Sequence, residues 1–209
     1  MGRVRAADLD AVTLDAHGTL VQMLDPVPNL VDVLAARGVE RSPDVVLAGF
    51  RTEAAHYTPR ASEGRDEESL ARLQHDCARV FLGAVGADLD PEEFASAYVG
   101  SMRFEILPGV VESLERLTAL GLSLAVVGNW DLTLHRHVRE LGLDHFFGTI
   151  VHAAAKPAPD GLMQALARLH VEPRRALHIG DDDADEQAAQ AAGVHFAPAP
   201  IPEAVAAIA

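Results

Sequence analysis

The stretch Asp10-Ala11-Val12-Thr13-Leu14-Asp15-Ala16-His17-Gly18-Thr19-Leu20 decides how the chain reads. A short apolar run ends in an acid and passes into a glycine turn, the pattern of a buried strand opening into a loop. The same grammar recurs downstream. Leu124-Ala125-Val126-Val127 runs into Gly128-Asn129-Trp130-Asp131, and Ala176-Leu177-His178-Ile179 runs into Gly180 and the acids Asp181, Asp182, Asp183 and Asp185. Shorter strands are predicted over 149–151 and 194–197, and helices over 110–120, 132–141, 160–169, from the Asp181–Asp185 acids to Gly193, and 203–208. Gly121 and Gly142 stop the first two of these helices. Strands alternating with helices of this length imply right-handed βαβ crossovers and a parallel sheet covered on both faces.

From about Pro28 to Met102 the texture is helical and shows no strand-like alternation. Ser42-Pro43-Asp44 is an N-cap followed by proline at the first helical position. Leu70, Leu73, Cys77 and Phe81 recur at three- or four-residue steps, as one helix face requires. Asp90-Pro91-Glu92-Glu93 is close to a capping box. About four helices are expected, inserted after the first strand. The fold class is therefore α/β, a Rossmann-like parallel sheet core formed by residues 1–21 and 104–209, with an all-helical cap subdomain over 22–103.

Composition narrows the function classes. At 209 residues and 49% hydrophobic, the chain has material for a packed core, which excludes disorder as the main reading. A net charge of −14 makes nucleic acid and anionic membranes poor partners, because phosphates repel such a surface. An enzyme this acidic needs a cation, a metal or a local base, to hold an anionic substrate. Cys77 is the only cysteine, so no internal disulfide forms, and its apolar neighbours mark it as a buried small side chain. No apolar run is long enough to span a bilayer, and the N-terminal basic residues are not followed by the apolar block of a leader. The expectation is a cytoplasmic protein, monomer or homodimer.

In an open parallel sheet, ligands bind beyond the carboxyl ends of the strands. If the strands ending at Asp15 and Asp181 are neighbours, two carboxylates face each other there. Such a pair raises its own pKa values unless a divalent cation intervenes, and an all-oxygen ligand set suits Mg²⁺. The plainer alternative, an acidic first turn complementing a helix dipole, accounts for one or two of Asp182, Asp183 and Asp185 but not for Asp15. Lys156 is the only lysine against 16 arginines, and it sits in the rigid loop Lys156-Pro157-Ala158-Pro159-Asp160. A compact ammonium suits a point contact with carboxylate or phosphate. The remaining histidines, among them His135, His137, His152 and His178, form no evident metal constellation.

Together these residues resemble the haloacid dehalogenase superfamily across nearly the whole chain, in the branch with a helical cap. Asp15-Ala16-His17-Gly18-Thr19-Leu20 is similar to the first motif, Lys156-Pro157 to the third, and Gly180-Asp181 through Asp185 to the fourth; Leu107-Pro108-Gly109 and Gly193 also match. The resemblance implies hydrolysis of a small phosphomonoester, with Asp15 as nucleophile forming an aspartyl-phosphate and Lys156 offsetting charge. It implies Mg²⁺ held by Asp15, the main-chain carbonyl of His17, Asp181 and Asp185. Two positions depart from the family. His17 stands where a second aspartate does acid–base work, which a histidine can also do. Gly128 stands where a hydroxyl binds phosphate, leaving its own N–H and the Asn129 amide as substitutes. Two alternatives stay open: a catalytically impaired binding or regulatory protein on the same fold, and a dehalogenase acting through the same aspartate. The short loop His152-Ala153-Ala154-Ala155 could misplace Lys156 or bring His152 to the pocket, where a structural role for His152 is favoured. Trp130 is expected at the border of the site or in packing, and Tyr57 and Phe50 are cap candidates for the pocket.

Overall fold

The computed structural model describes residues 5–208. Residues 1–4, part of the stretch expected to lack a leader, and residue 209 lie outside the described residues. The chain divides into two compact units, one made of Met1–Gln22 with Glu105–Ala209 and the other of Met23–Phe104.

Strand β1 (Ala11–Leu14) is buried at every position. It is followed by β2 (Val21–Met23) and then by four α-helices: α1 (Val27–Ala35), α2 (Pro43–Tyr57), α3 (Glu67–Val85) and α4 (Pro91–Gly100). Their ends follow from local chemistry. Ser42 is extended and Pro43 opens α2. Asp66 accepts the Ser69 N–H at 2.8 Å while Ser69 Oγ accepts the Asp66 N–H at 3.1 Å, a reciprocal cap on α3. Asp90 accepts the Glu92 N–H at 2.8 Å. Leu30, Leu34, Leu73, Cys77, Phe81 and Phe94 form the core of this unit, with the Phe81 and Phe94 rings stacked at 6.0 Å. Gly49 lets α2 and α3 approach closely, since a Cβ there would lie 2.4 Å from Val85 Cγ1. One polar pair is buried among these helices: Tyr98 Oη donates to Glu53 Oε2 at 2.6 Å.

After the helices come β3 (Phe104–Ile106), α5 (Val110–Ala119), β4 (Ser123–Val127), α6 (Leu134–Glu140), β5 (Thr149–Val151), α7 (Asp160–Leu169), β6 (Ala176–Gly180), α8 (Asp183–Ala192), β7 (His195–Pro198) and α9 (Ile201–Ile208). The main sheet is parallel, in the order β5-β4-β1-β6-β7. The fold is thus α/β with an inserted helical region. The two-stranded β2-β3 sheet was not legible in the sequence: three residues on each side are too few to show a period of two. Leu162, Leu166, Ala188 and Ala189 of the helices pack with Ala11, Ala125 and Val127 of the strands. In register, Leu14 lies opposite both Val126 and Ile179. The residues that follow these three therefore emerge together at one edge of the sheet. No helix among the described residues is long and apolar enough to cross a membrane.

Candidate active site

Asp15 leaves the central strand with its N–H still donating to Ile179 O at 2.9 Å, so the ladder holds its backbone. Lys156 reaches it from the loop after β5. That loop turns sharply, with Ala153 and Ala155 at φ 51° and 57°. It is tied to the end of β4 by Ala153 N–H to Trp130 O at 2.7 Å and Ala154 N–H to Gly128 O at 3.2 Å. Asn129 completes the tie: its amide donates to Lys156 O at 2.8 Å and accepts the Lys156 N–H at 2.7 Å. The buried ammonium then donates to Asp15 Oδ1 at 2.5 Å and to Asp185 Oδ1. Asp185 sits in the first turn of α8, where its Oδ2 accepts the N–H groups of Asp181 and Asp182 at 3.2 and 3.4 Å. Asp182 caps the same helix, accepting the Asp185 N–H at 2.9 Å. Glycines make room for the acids. A Cβ on Gly180 would lie 2.2 Å from the Asp185 carboxyl carbon. A Cβ on Gly18, whose φ is +83°, would lie 2.2 Å from Asp181 Oδ2.

Oxygens of Asp15, Asp181 and Asp185 all lie within 4.8 Å of one another. Burial pushes the Asp15 carboxyl up to about 7; Lys156 opposes this and Asp185 adds to it. Asp181 is also raised, by burial first and then by Asp185 and Asp182. Asp185 is held low: burial works against it, and the hydrogen bond from His178 and the charge of Lys156 outweigh that. Lys156 forms ion pairs with Asp15 and Asp185, so one ammonium serves two of the three clustered acids. A hard divalent cation fits this donor set. It has only oxygen ligands and excess negative charge, and Asp181 stands at the exposed side.

The other predicted residues fall as follows. His17 is exposed, with its ring edge-on to Trp130 at 6.4 Å. Trp130 is buried and donates its indole N–H to Thr133 Oγ1 at 3.2 Å. The Gly128 N–H donates to Val151 O at 3.0 Å, continuing the sheet ladder, so this donor and the Asn129 amide both have partners within the protein. His152 Nδ1 lies 3.0 Å from His135 Nε2. Tyr57 and Phe50 pack against the core of the helical unit. Two site residues went unread. Thr19 is buried, and its hydroxyl donates to Asp181 Oδ1 at 3.4 Å. His178 is fully buried, with Nε2 3.0 Å from Asp185 Oδ1 and Nδ1 2.9 Å from Thr13 Oγ1; burial and Lys156 lower its pKa, and Asp185 opposes them. The available signal was a polar residue inside an otherwise apolar strand, two positions before the fourth-motif glycine.

A family model described as haloacid dehalogenase-like hydrolase matches residues 9–193. The chain is 33% identical over 109 residues to "Haloacid dehalogenase-like hydrolase domain-containing protein 3" of Xenopus laevis, covering 50% of this chain and 43% of that protein. It thus spans less than half of that relative's length. It is 30% identical over 201 residues to "Phosphoglycolate phosphatase 1" of Pseudomonas aeruginosa, covering 89% of this chain and 67% of the relative. Among solved structures, the L-2-haloacid dehalogenase of Xanthobacter autotrophicus shares the fold, with a TM-score of 0.63 and 24% identity over 91% of this chain and 77% of that one.

Proposed function

The chain belongs to the haloacid dehalogenase-like hydrolases, and from that premise we propose that it is a Mg²⁺-dependent phosphatase of small phosphomonoesters with Asp15 as its nucleophile. The observation that carries this reading is the cluster in which the buried Lys156 Nζ lies 2.5 Å from Asp15 Oδ1 and three carboxylates, two of them buried, crowd within 4.8 Å. A carboxylate so placed is oriented by the lysine and has a fixed line of approach to a bound phosphorus. A relative named for phosphoglycolate hydrolysis, matched over 89% of this chain, supports the substrate class.

In the proposed reaction an Asp15 oxygen attacks phosphorus and the ester oxygen leaves with the bonding pair. His17 protonates that oxygen and later takes a proton from the water that hydrolyses the aspartyl-phosphate. Lys156 offsets charge on Asp15 and on the transferring group. Asp15, Asp181, Asp185 and the carbonyl of His17 would hold Mg²⁺, which would supply positive charge to offset that of the phosphoryl group. Thr19 orients Asp181, and Asn129 holds the lysine loop in place. With glycine at 128, one phosphate hydrogen bond is missing, a loss of about 10²–10³ in rate for a donor of that kind.

The test is phosphate release from a panel of phosphomonoesters with Mg²⁺, for wild type, Asp15→Asn and His17→Asp. The proposal expects release by wild type and none by Asp15→Asn. A folded wild type that stays inert until His17→Asp is introduced overturns it in favour of a non-catalytic binding protein, and halide release without metal points to dehalogenation.

A further inference from the structure

His178 is placed by the sheet itself. It is the register partner of Thr13 on the neighbouring parallel strand, so both side chains leave the same face. Asp15 lies two residues beyond Thr13 and shares that parity. The imidazole is therefore stacked beneath the acid cluster and fully shielded from water. Its partners set its tautomer. Nε2 faces Asp185 Oδ1 at 3.0 Å, and an ionised carboxylate only accepts, so Nε2 carries the ring proton. Nδ1 is then an acceptor and takes the Thr13 hydroxyl at 2.9 Å. The Thr13 carbonyl lies 3.2 Å from Nδ1, and as a neutral acceptor it competes poorly for the ring proton with the ionised carboxylate at Nε2.

Asp185 Oδ1 thus accepts from two donors at once, Lys156 Nζ and His178 Nε2. We propose that His178 is a positioning residue: by donating to Asp185 it fixes that carboxylate and draws off part of its charge, so that Lys156 stays shared with Asp15 instead of collapsing onto Asp185. An apolar side chain in the same strand would fill the space but leave the ammonium bound more tightly to Asp185. The kinetic part of this inference rests on the phosphatase reading, whereas the tautomer and the metal affinity do not.

The experiment compares wild type with His178→Leu, His178→Gln and Thr13→Val. It measures kcat and KM with a phosphomonoester, the Kd for Mg²⁺ by calorimetry, and the tautomer of His178 by nitrogen-15 NMR on histidine-labelled protein. Loss of an outer hydrogen-bonding partner typically changes activity or metal affinity about 10–100-fold. His178→Leu is expected to lower kcat or Mg²⁺ affinity by that factor with KM within about twofold, and His178→Gln, which restores an N–H donor, is expected to recover most of the loss. Thr13→Val leaves the ring and its Nε2–H bond to Asp185 in place, so it should keep the Nε2–H tautomer and most of the kcat and Mg²⁺ affinity; the wild-type tautomer and the Gln variant keep the test decisive if His178→Leu fails to fold. The proposal is overturned if wild type carries its ring proton on Nδ1, if folded His178→Leu matches wild type in kcat and Mg²⁺ affinity, or if Leu and Gln are equally impaired. A wild type that hydrolyses no ester, yet shows Nε2–H and loses Mg²⁺ affinity in His178→Leu but not His178→Gln, removes the phosphatase reading and leaves the positioning role standing.

Discussion

Replacing Lys156 with Met should unmask the repulsion that the lysine holds in check. Methionine keeps much of the stem's volume and removes the charge, so the change isolates electrostatics from packing. The side chains concerned are 3% exposed for Lys156, 10% for Asp15 and 1% for Asp185, too deep for water to screen the acids. Breaking a buried ion pair from one side costs about 3–5 kcal/mol. For a chain of this size that is roughly 6–20 °C in melting temperature. The pH dependence has a definite sign. Burial already raises Asp15 to about 7 against the lysine, and without the lysine it rises further. The unfolded chain releases that proton near pH 4. Above that point the folded state binds more protons than the unfolded one, so stability falls as pH rises. The Lys156→Met penalty should therefore be smaller near pH 5 than at pH 8. Mg²⁺ should raise the melting temperature of the variant more than that of wild type, since a cation replaces the missing charge. Melting curves at both pH values, with Mg²⁺ and with a chelator, give the result. A loss below about 1 kcal/mol at pH 8 without metal would refute the claim that these carboxylates depend on the lysine, because that is the scale of a solvent-exposed pair.

Three further outcomes follow from single contacts. Gly18→Ala places a Cβ 2.2 Å from Asp181 Oδ2 at a φ of +83°; the exposed carboxylate should swing aside, so Mg²⁺ affinity by calorimetry falls at least about tenfold while the fold survives a loss of about 1–2 kcal/mol. Asn129→Ala removes both hydrogen bonds to the Lys156 backbone and should cost about 1–3 kcal/mol, with a drop in kcat in the phosphate-release assay as the ammonium loses its placement. Tyr98→Phe leaves the buried Glu53 without its hydroxyl donor and should lower stability in urea by about 1–3 kcal/mol, whereas the double change Glu53→Leu with Tyr98→Phe should lie closer to wild type.

Much of this was legible along the chain, for a physical reason. A buried parallel strand must be apolar, and a loop that turns at its end must use glycine or small polar residues. The run from Asp10 to Leu20 and the run into Gly180 and Asp181 therefore announce themselves locally, as does the helical periodicity of Leu73, Cys77 and Phe81. Other features lie in distances between residues far apart in sequence. Lys156 and Asp15 meet across 141 positions, and Thr13 and His178 across 165. Which strand lies beside which, and in what register, decides whether a carboxylate meets a cation or water, and no local pattern encodes that. The β2-β3 pair was missed because three-residue strands are stabilised by each other and not by any signal of their own. The roles of Asn129 and Gly128 likewise depended on where their amide groups could find partners, which the turn of the lysine loop supplies. Residue types alone specified the α/β fold, the inserted helices and the acids at the strand ends. Only the packed sheet determined that His178 and Thr19 stand behind those acids, because hydrogen-bond geometry exists only once the strands are side by side.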